Sequence, residues 1–308
     1  MKSSVAKIIF LVPIISILFF PISSSLALIL GFVYALLFKH PFKQSCHKAI
    51  HHFLKISVIG LGFGMFIKET ITTSKQGFSL TFFSIILTVS LGLLLTKLFK
   101  LDKKLGHLIT SGTSVCGGSA IAAISPVIKA NNNAISVALG IVFLLNSIAL
   151  FVFPAIGHWK HLTQEQFGLW CAIAIHDTSS VVGAALGYGE EALRVATTVK
   201  LSRTLWIIPL SVLSMIIFKT EGEKIKIPYF ILLFILAIFI NSYHIIPTSI
   251  TNEIVFYAKK LLVLTLFLVG STISINDLKS TGIKPMFVAI SLWIFISLFS
   301  YLYITYNM

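Results

Sequence analysis

Apolar residues fall in eleven runs, near 7–20, 22–38, 53–67, 77–98, 106–128, 134–156, 168–188, 195–218, 228–246, 254–273 and 285–305. Most approach the roughly 20 residues that a helix needs to cross a bilayer core. The runs are solidly apolar, unlike the alternating segments of barrel strands. In lipid a segment must satisfy its own backbone N–H and C=O groups, which selects helices. The pattern predicts an all-α, polytopic transmembrane helix bundle of about 10–11 spans, a single integral membrane domain over 1–308. The first run has the layout of a signal peptide: basic Met1–Lys7, apolar Ile8–Phe20, small-residue Pro21–Ala27. Because a second apolar run follows at once, a retained helical hairpin around Pro21–Ser25 is expected, with cleavage left open.

Composition narrows the class. Hydrophobic residues make up 56% of the chain and charged residues 11%, with a mean hydropathy of +0.97. A soluble domain carries about 25% charged residues, so a water-facing surface cannot be covered here. Lys plus Arg number 24 against 10 acids, a net charge of +14. On a polytopic chain such an excess marks cytoplasmic loops rather than a nucleic-acid partner. The positive loops are the N-terminus (Lys2, Lys7), 39–55 (Lys39, Lys43, Lys48, Lys55), 97–105 (Lys97, Lys100, Lys103, Lys104), 219–227 (Lys219, Lys224, Lys226) and 274–284 (Lys279, Lys284). Eleven crossings put all of them on one side, which predicts an N-terminus inside and a C-terminus outside. The cysteines Cys46, Cys116 and Cys171 contain no CxxC spacing and indicate neither a metal site nor a disulfide framework. His47, His51 and His52 lie on a basic connection, where a solvated loop is expected rather than a metal site.

Two internal echoes bear on architecture. "LGFGMFIKETITTSKQG" (61–77) and "LVGSTISINDLKSTG" (268–282) each carry a glycine, a polar turn with an acid, a lysine and a closing glycine before an apolar run. These copies lie seven runs apart, and an odd offset is the layout of the inverted repeats of secondary transporters. "SVCGGSAIAAIS" (114–125) also lies over "AIHDTSSVVGAA" (174–185). Their offset of two runs gives equal orientations if both cross, so either one element is re-entrant or both are simply small-residue helices.

Candidate chemistry lies inside the runs. Ser111–Ser119, "SGTSVCGGS", holds three Gly, three Ser and one Thr in nine residues. A Gly pair costs about 1 kcal/mol per residue in a helix relative to Ala, so Gly117–Gly118 invites a break. A broken helix in the membrane presents free N–H groups and a positive dipole end to an anion. The candidate substrate-binding residues here are Ser111, Thr113, Ser114, Cys116, Gly117, Gly118 and Ser119; close packing of small residues is the alternative. His176 and Asp177, followed by Thr178 and Ser179, sit within the run 168–188. A carboxylate at membrane depth marks an ion or proton path, and His carries protons near neutral pH. His176 and Asp177 are therefore the candidate coupling pair, unless the run is re-entrant and the pair simply wet. Lys200 and Arg203, three apart, share one helix face and either attract an anion or snorkel to the interface. Asn146 is a candidate for interhelical hydrogen bonding. No Walker loop or dinucleotide fingerprint occurs, so no cofactor is expected. The His–Asp pair lacks a nucleophile at a productive sequence spacing, which argues against an enzyme, with Ser179 and Cys116 left open.

The chain resembles the YeiH-type sulfate exporter family of bacterial inner-membrane proteins. The resemblance is carried by "SGTSVCGGSAIAAISPVIKA" (111–130), "FPAIGHWKHLTQEQFGLW" (153–170), "HDTSSVV" (176–182) and "EEALRVATTVKLSRTLWIIPL" (190–210). It implies a multi-pass membrane protein grouped with sodium/bile-acid symporter and sodium/proton antiporter folds, which use inverted repeats and broken, crossing helices. The expected function is a secondary transporter that exports a small anion, sulfate or sulfonate-like, on a proton or sodium gradient; a cation/proton antiporter and a non-transporting scaffold or sensor are the alternatives. The partners expected are the lipid bilayer, the anion and a proton or sodium ion, without nucleic acid, and a homo-oligomer is compatible with them.

Overall fold

The computed structural model describes residues 2–20, 22, 24–38, 40–220, 229–272 and 282–307. All regular structure among them is helical. Lys39, the acidic and basic residues of 221–227, and Asp277 and Lys279 of the second polar echo lie outside the described residues. The chain divides into two compact units: Met1–Ile71 with Pro228–Ser274, and Thr72–Ile227 with Ile275–Met308. Five apolar helical stretches are long enough to cross a membrane: Ile67–Leu98, Asn133–Trp159, Glu190–Phe218, Thr248–Thr272 and Ile283–Asn307. Bulky apolar side chains such as Leu94, Ile216, Leu232 and Leu298 are exposed, as a lipid-facing surface requires.

The first unit contains α1 (Lys2–Phe19), α2 (Ser24–Leu37), α3 (Lys43–Gly62) and the start of α4 (Ile67–Leu98). The second is built from the rest of α4, α5 (Lys103–Ser114), α6 (Gly118–Val127), α7 (Asn132–Trp159), α8 (Gln164–Ala174), α9 (Thr178–Tyr188), α10 (Glu190–Thr204) and α11 (Ile207–Phe218). Later in the chain, α12 (Tyr229–Ser242) and α13 (Thr248–Thr272) return to the first unit, and α14 (Ile283–Asn307) to the second.

The second unit holds an architecture that the run pattern did not resolve. The runs 106–128 and 168–188, which read as single crossings, are each folded back at the middle. A straight helix of 25 residues would hold its ends about 37 Å apart. Instead Lys104 Nζ, at the start of α5, donates to the Lys129 carbonyl beyond α6 at 2.7 Å. Gln164 Oε1, at the start of α8, likewise accepts from the Glu191 and Ala192 amides at 3.0 and 3.4 Å, just past α9. The Phe167 and Tyr188 rings stack at 3.8 Å, and the Tyr188 hydroxyl donates to the Leu162 carbonyl at 2.6 Å. Thus α5–α6 and α8–α9 are helical hairpins, with tips at 115–117 and 175–177.

Helix α7 is the axis between them. Its start, where the Asn131 side chain caps the Ala134 amide at 2.8 Å, follows the base of the first hairpin. Its end packs on the base of the second, where a Cβ at Gly157 would lie 2.6 Å from Phe167 Cδ2 and 2.9 Å from Tyr188 Cε2. The hairpins therefore enter from opposite ends of a helix about 42 Å long and are inverted relative to each other. Hairpin folding accounts for the echo of 114–125 over 174–185, whose even offset would otherwise give equal orientations.

In the first unit α13 packs against α2 and α3, and α12 against α3. The core includes Phe10, Ile17, Tyr34, Phe267 and Leu268. Tyr34 donates to the Ala6 carbonyl at 3.1 Å, pairing α1 and α2 as the antiparallel hairpin that the sequence predicts. At Gly31 the backbones of α2 and α13 approach so closely that a Cβ would lie 2.2 Å from the Phe267 carbonyl oxygen and 2.8 Å from the Ser271 nitrogen. Backbone on the facing side cannot rotate away, and overpacking of this kind costs about 1–3 kcal/mol. Gly31→Ala is expected to lower the melting temperature of the purified protein in detergent, whereas Val33→Ala, on the exposed side of α2, is expected to leave it nearly unchanged.

Candidate functional site

The two hairpin tips meet at the middle of α7. Gly117 adopts φ +59° and ψ −124° as the N-cap of α6, a left-handed conformation that favours glycine. A Cβ there would lie 3.2 Å from Val142 Cγ1, 3.3 Å from the Asp177 nitrogen and 3.3 Å from the His176 carbonyl carbon. Gly117 thus supplies both the turn and the room for the second tip. On that tip Asp177 is the N-cap of α9: its carboxylate accepts from the Ser179 amide at 3.1 Å and from the Ser179 hydroxyl. Asn146, midway along α7, holds the same tip, its Oδ1 accepting from the His176 and Asp177 amides at 3.1 and 3.3 Å.

Each break also releases carbonyls at the C-terminal end of the preceding half-helix. Lys200 and Arg203 on α10 take them. Lys200 Nζ donates to the Ile175 carbonyl at 2.7 Å and to the Val115 and Ala172 carbonyls, both at 3.2 Å. Arg203 donates to the Ser114 carbonyl through Nε at 3.0 Å and Nη2 at 2.5 Å, and to the Ile173 carbonyl through Nη1 at 2.5 Å. Both cations are fully buried. They do not snorkel, because the nearer and stronger partners are the carbonyl ends of two helix dipoles. All three Lys200 protons are engaged, so this residue acts on any bound ion through its charge.

The sequence-predicted residues come together here. Ser111, Thr113, Ser114 and Cys116 are buried at the end of α5 and its tip, Gly118 is half-buried, and Ser119 is exposed at the start of α6. His176, Thr178 and Ser179 are buried, and Asp177 is half-buried. Among the described residues, several buried polar atoms have no hydrogen-bond partner in the chain: both His176 ring nitrogens, Asn146 Nδ2, Ser111 Oγ, Thr113 Oγ1 and Thr197 Oγ1. Buried polar groups are normally paired, and these belong to the end of α5, the second tip, α7 and α10. Asn146 was legible as an interhelical bonder but not as the clamp of a tip. The five-carbonyl load on Lys200 and Arg203 had no signal beyond their spacing, because the acceptors are backbone. No group of three or more His, Cys, Asp or Glu side chains suited to a metal ion occurs among the described residues.

Fold and site together define a polytopic helical membrane protein organised around two opposed hairpins with touching tips. The chain belongs to the family described as conserved hypothetical protein 698, which it matches over residues 4–289. It is 52% identical over 288 residues to a UPF0324 membrane protein of Photobacterium profundum, covering 93% of this chain and 88% of that one. A UPF0324 membrane protein of Bacteroides thetaiotaomicron is 47% identical over 286 residues, covering 92% and 86%. One from Bdellovibrio bacteriovorus is 45% identical over 304 residues, covering 96% and 93%. No solved structure matches the chain. The relatives make this a bacterial membrane protein.

The polar clamps carry two stability expectations. Lys200→Met orphans buried carbonyls on both tips, at about 1–3 kcal/mol for each unsatisfied group. Asn146→Leu preserves volume but orphans two amides of the second tip. Both variants are expected to melt well below the unaltered protein in detergent, with Lys200→Met the lower, as read by thermal unfolding monitored by size-exclusion chromatography.

Proposed function

We propose that the protein is a secondary transporter, rather than an enzyme, that moves a small anion at the junction of the hairpin tips. The carrying observation is the charge pattern at that junction. Lys200 and Arg203 neutralise the negative ends of two half-helices, while the positive ends of α6 and α9 also face the junction. Asp177 is the sole acidic side chain among the described residues of both tips, and it is already engaged in capping α9. A site so biased favours an anion over the cation that an antiporter would hold. Irregular backbone at membrane depth is tolerated where it lines a cavity or pathway, and opposed discontinuous elements are a recurrent transporter plan. A small oxyanion matches the amide donors at the starts of α6 and α9, the sulfate or sulfonate identity being what the resemblance implies, and Asp177 with His176 is the coupling pair. Export on a proton or sodium gradient follows from the resemblance noted above.

Hairpin folding also bears on orientation. Two re-entrant elements leave the parity of crossings unchanged, so the N-terminus stays inside and the C-terminus outside. They move Lys129 to the cytoplasmic side with Lys100, Lys103 and Lys104, and move the mutually cancelling Lys160 and Glu165 outside with Glu190 and Glu191, so one positive charge shifts inward and the positive-inside asymmetry sharpens. The polar echoes at 61–77 and 268–282 keep an odd offset in sequence, which supports a larger inverted repeat.

Flux in proteoliposomes is the test. With an imposed pH gradient, a panel of anions should include at least one transported well above protein-free vesicles, and Gly117→Leu, which denies the tip its backbone conformation, is expected to reduce that flux at least tenfold. Flux that needs sodium or potassium but no anion would support the antiporter instead. Absence of any flux, with a stable partner retained in mild detergent, would support the scaffold or sensor.

A further inference from the structure

The two tips share a plan but are finished differently. In the echo of 114–125 over 174–185, Gly117 falls on Asp177 and Val115 on Ile175. The structure repeats this: Gly117 and Asp177 are the two N-caps, and Lys200 binds the carbonyls of both Val115 and Ile175. Yet α9 is capped by its own carboxylate, whereas the N-cap of α6 provides no side-chain hydrogen bond. The first-turn amides of α6 lie beside an exposed Ser119.

A second observation points to a ligand at the same place. Asn146 is 3% exposed, and its Nδ2 has no partner. The orientation of this amide follows from its contacts, since only an oxygen can accept from the two N–H groups of His176 and Asp177. Its Nδ2 therefore remains a free donor beside the Asp177 nitrogen, which lies 3.3 Å from the Cβ position of Gly117. A buried amide donor and an uncapped helix N-terminus adjoin the same His176–Asp177 peptide and together call for an acceptor oxygen.

The charge of that acceptor follows from the neighbours. Each helix end carries about half a charge. Lys200, Arg203 and the positive ends of α6 and α9 stand against the negative ends of α5 and α8 and the Asp177 carboxylate. About one positive charge is left over by that reckoning. We infer that the junction is built for a monoanionic oxyanion head, a sulfonate or carboxylate, seated on the N-terminus of α6 with Asn146 Nδ2 as its side-chain donor. It does for α6 what Asp177 does for α9. A dianion such as sulfate leaves an unbalanced negative charge in a buried setting, which is strongly disfavoured. Removing the Asp177 charge by substitution makes room for it. This rests on the transporter reading above and names the ligand of that same site.

The experiment is ligand-induced stabilisation of the purified full chain in detergent at neutral pH and matched ionic strength, with methanesulfonate, acetate, sulfate and chloride as probes. Methanesulfonate or acetate should raise the melting temperature at concentrations where sulfate and chloride do not. Asp177→Asn keeps a good N-cap but removes the negative charge, and should shift the preference toward sulfate by about tenfold or more. Ser119→Asp places a carboxylate in the first turn of α6, where it is favourable, and should abolish the monoanion response without lowering the melting temperature. Equal or better sulfate binding by the unaltered protein, or a preference unmoved by Asp177→Asn, overturns the monoanion assignment while leaving an anion site. A full monoanion response in Ser119→Asp overturns the placement at α6. No response to any probe, together with anion-independent cation flux in proteoliposomes, overturns the anion-transporter reading beneath it.

Discussion

A helix broken inside a bilayer releases carbonyls that neither water nor lipid can satisfy. Here two such breaks face each other, and the structure depends on how Lys200 and Arg203 resolve them. One turn of α10 sends six side-chain hydrogen bonds into the carbonyls of residues 114, 115, 172, 173 and 175, two of them from one guanidinium edge to Ser114. Two buried cations would be prohibitive alone; placed against the negative ends of α5 and α8 they are partnered by dipoles and hydrogen bonds together. The same bonds tie two hairpins and a third helix into one body, so the site is held by rigid elements rather than by loops.

The opposed hairpins follow from this arrangement and from α7. With Val142 against the first tip and Asn146 against the second, the middle of α7 fixes where the tips meet. Its two ends fix where the hairpins begin. Glycine at 117 matters here for a reason specific to the junction: its positive φ turns the chain, and its missing side chain leaves space for the 176–177 peptide.

Much of this was legible in the sequence, and the boundary of legibility is physical. The all-helical membrane class follows from run length and charge scarcity, which any bilayer protein must show. The break at Gly117–Gly118 follows from helix propensity, and the unusual His176–Asp177 pair from the cost of charge at depth. Hairpin folding was not legible, because a re-entrant run and a crossing run of the same length have the same apolar composition; only the contact of Lys104 with Lys129, or of Phe167 with Tyr188, separates them. The roles of Lys200 and Arg203 were hidden for a related reason. Their partners are peptide carbonyls, which every residue possesses, so no residue type betrays them.

The local echo gains a meaning that sequence likeness alone lacks. Positions that match in the echo perform matched backbone tasks: Val115 and Ile175 offer carbonyls to one ammonium, and Gly117 and Asp177 both open a half-helix. Where the matched residues differ, the electrostatics differ. Asp177 brings its own anion to α9, while Gly117 leaves the positive end of α6 without one. A symmetric scaffold with one self-capped and one uncapped half-helix is polar across its own pseudo-axis. Binding at the uncapped end therefore changes the charge balance of the junction without breaking any bond that holds the hairpins together. The carbonyl clamps keep the fold, and the unequal caps leave the amide ends to function.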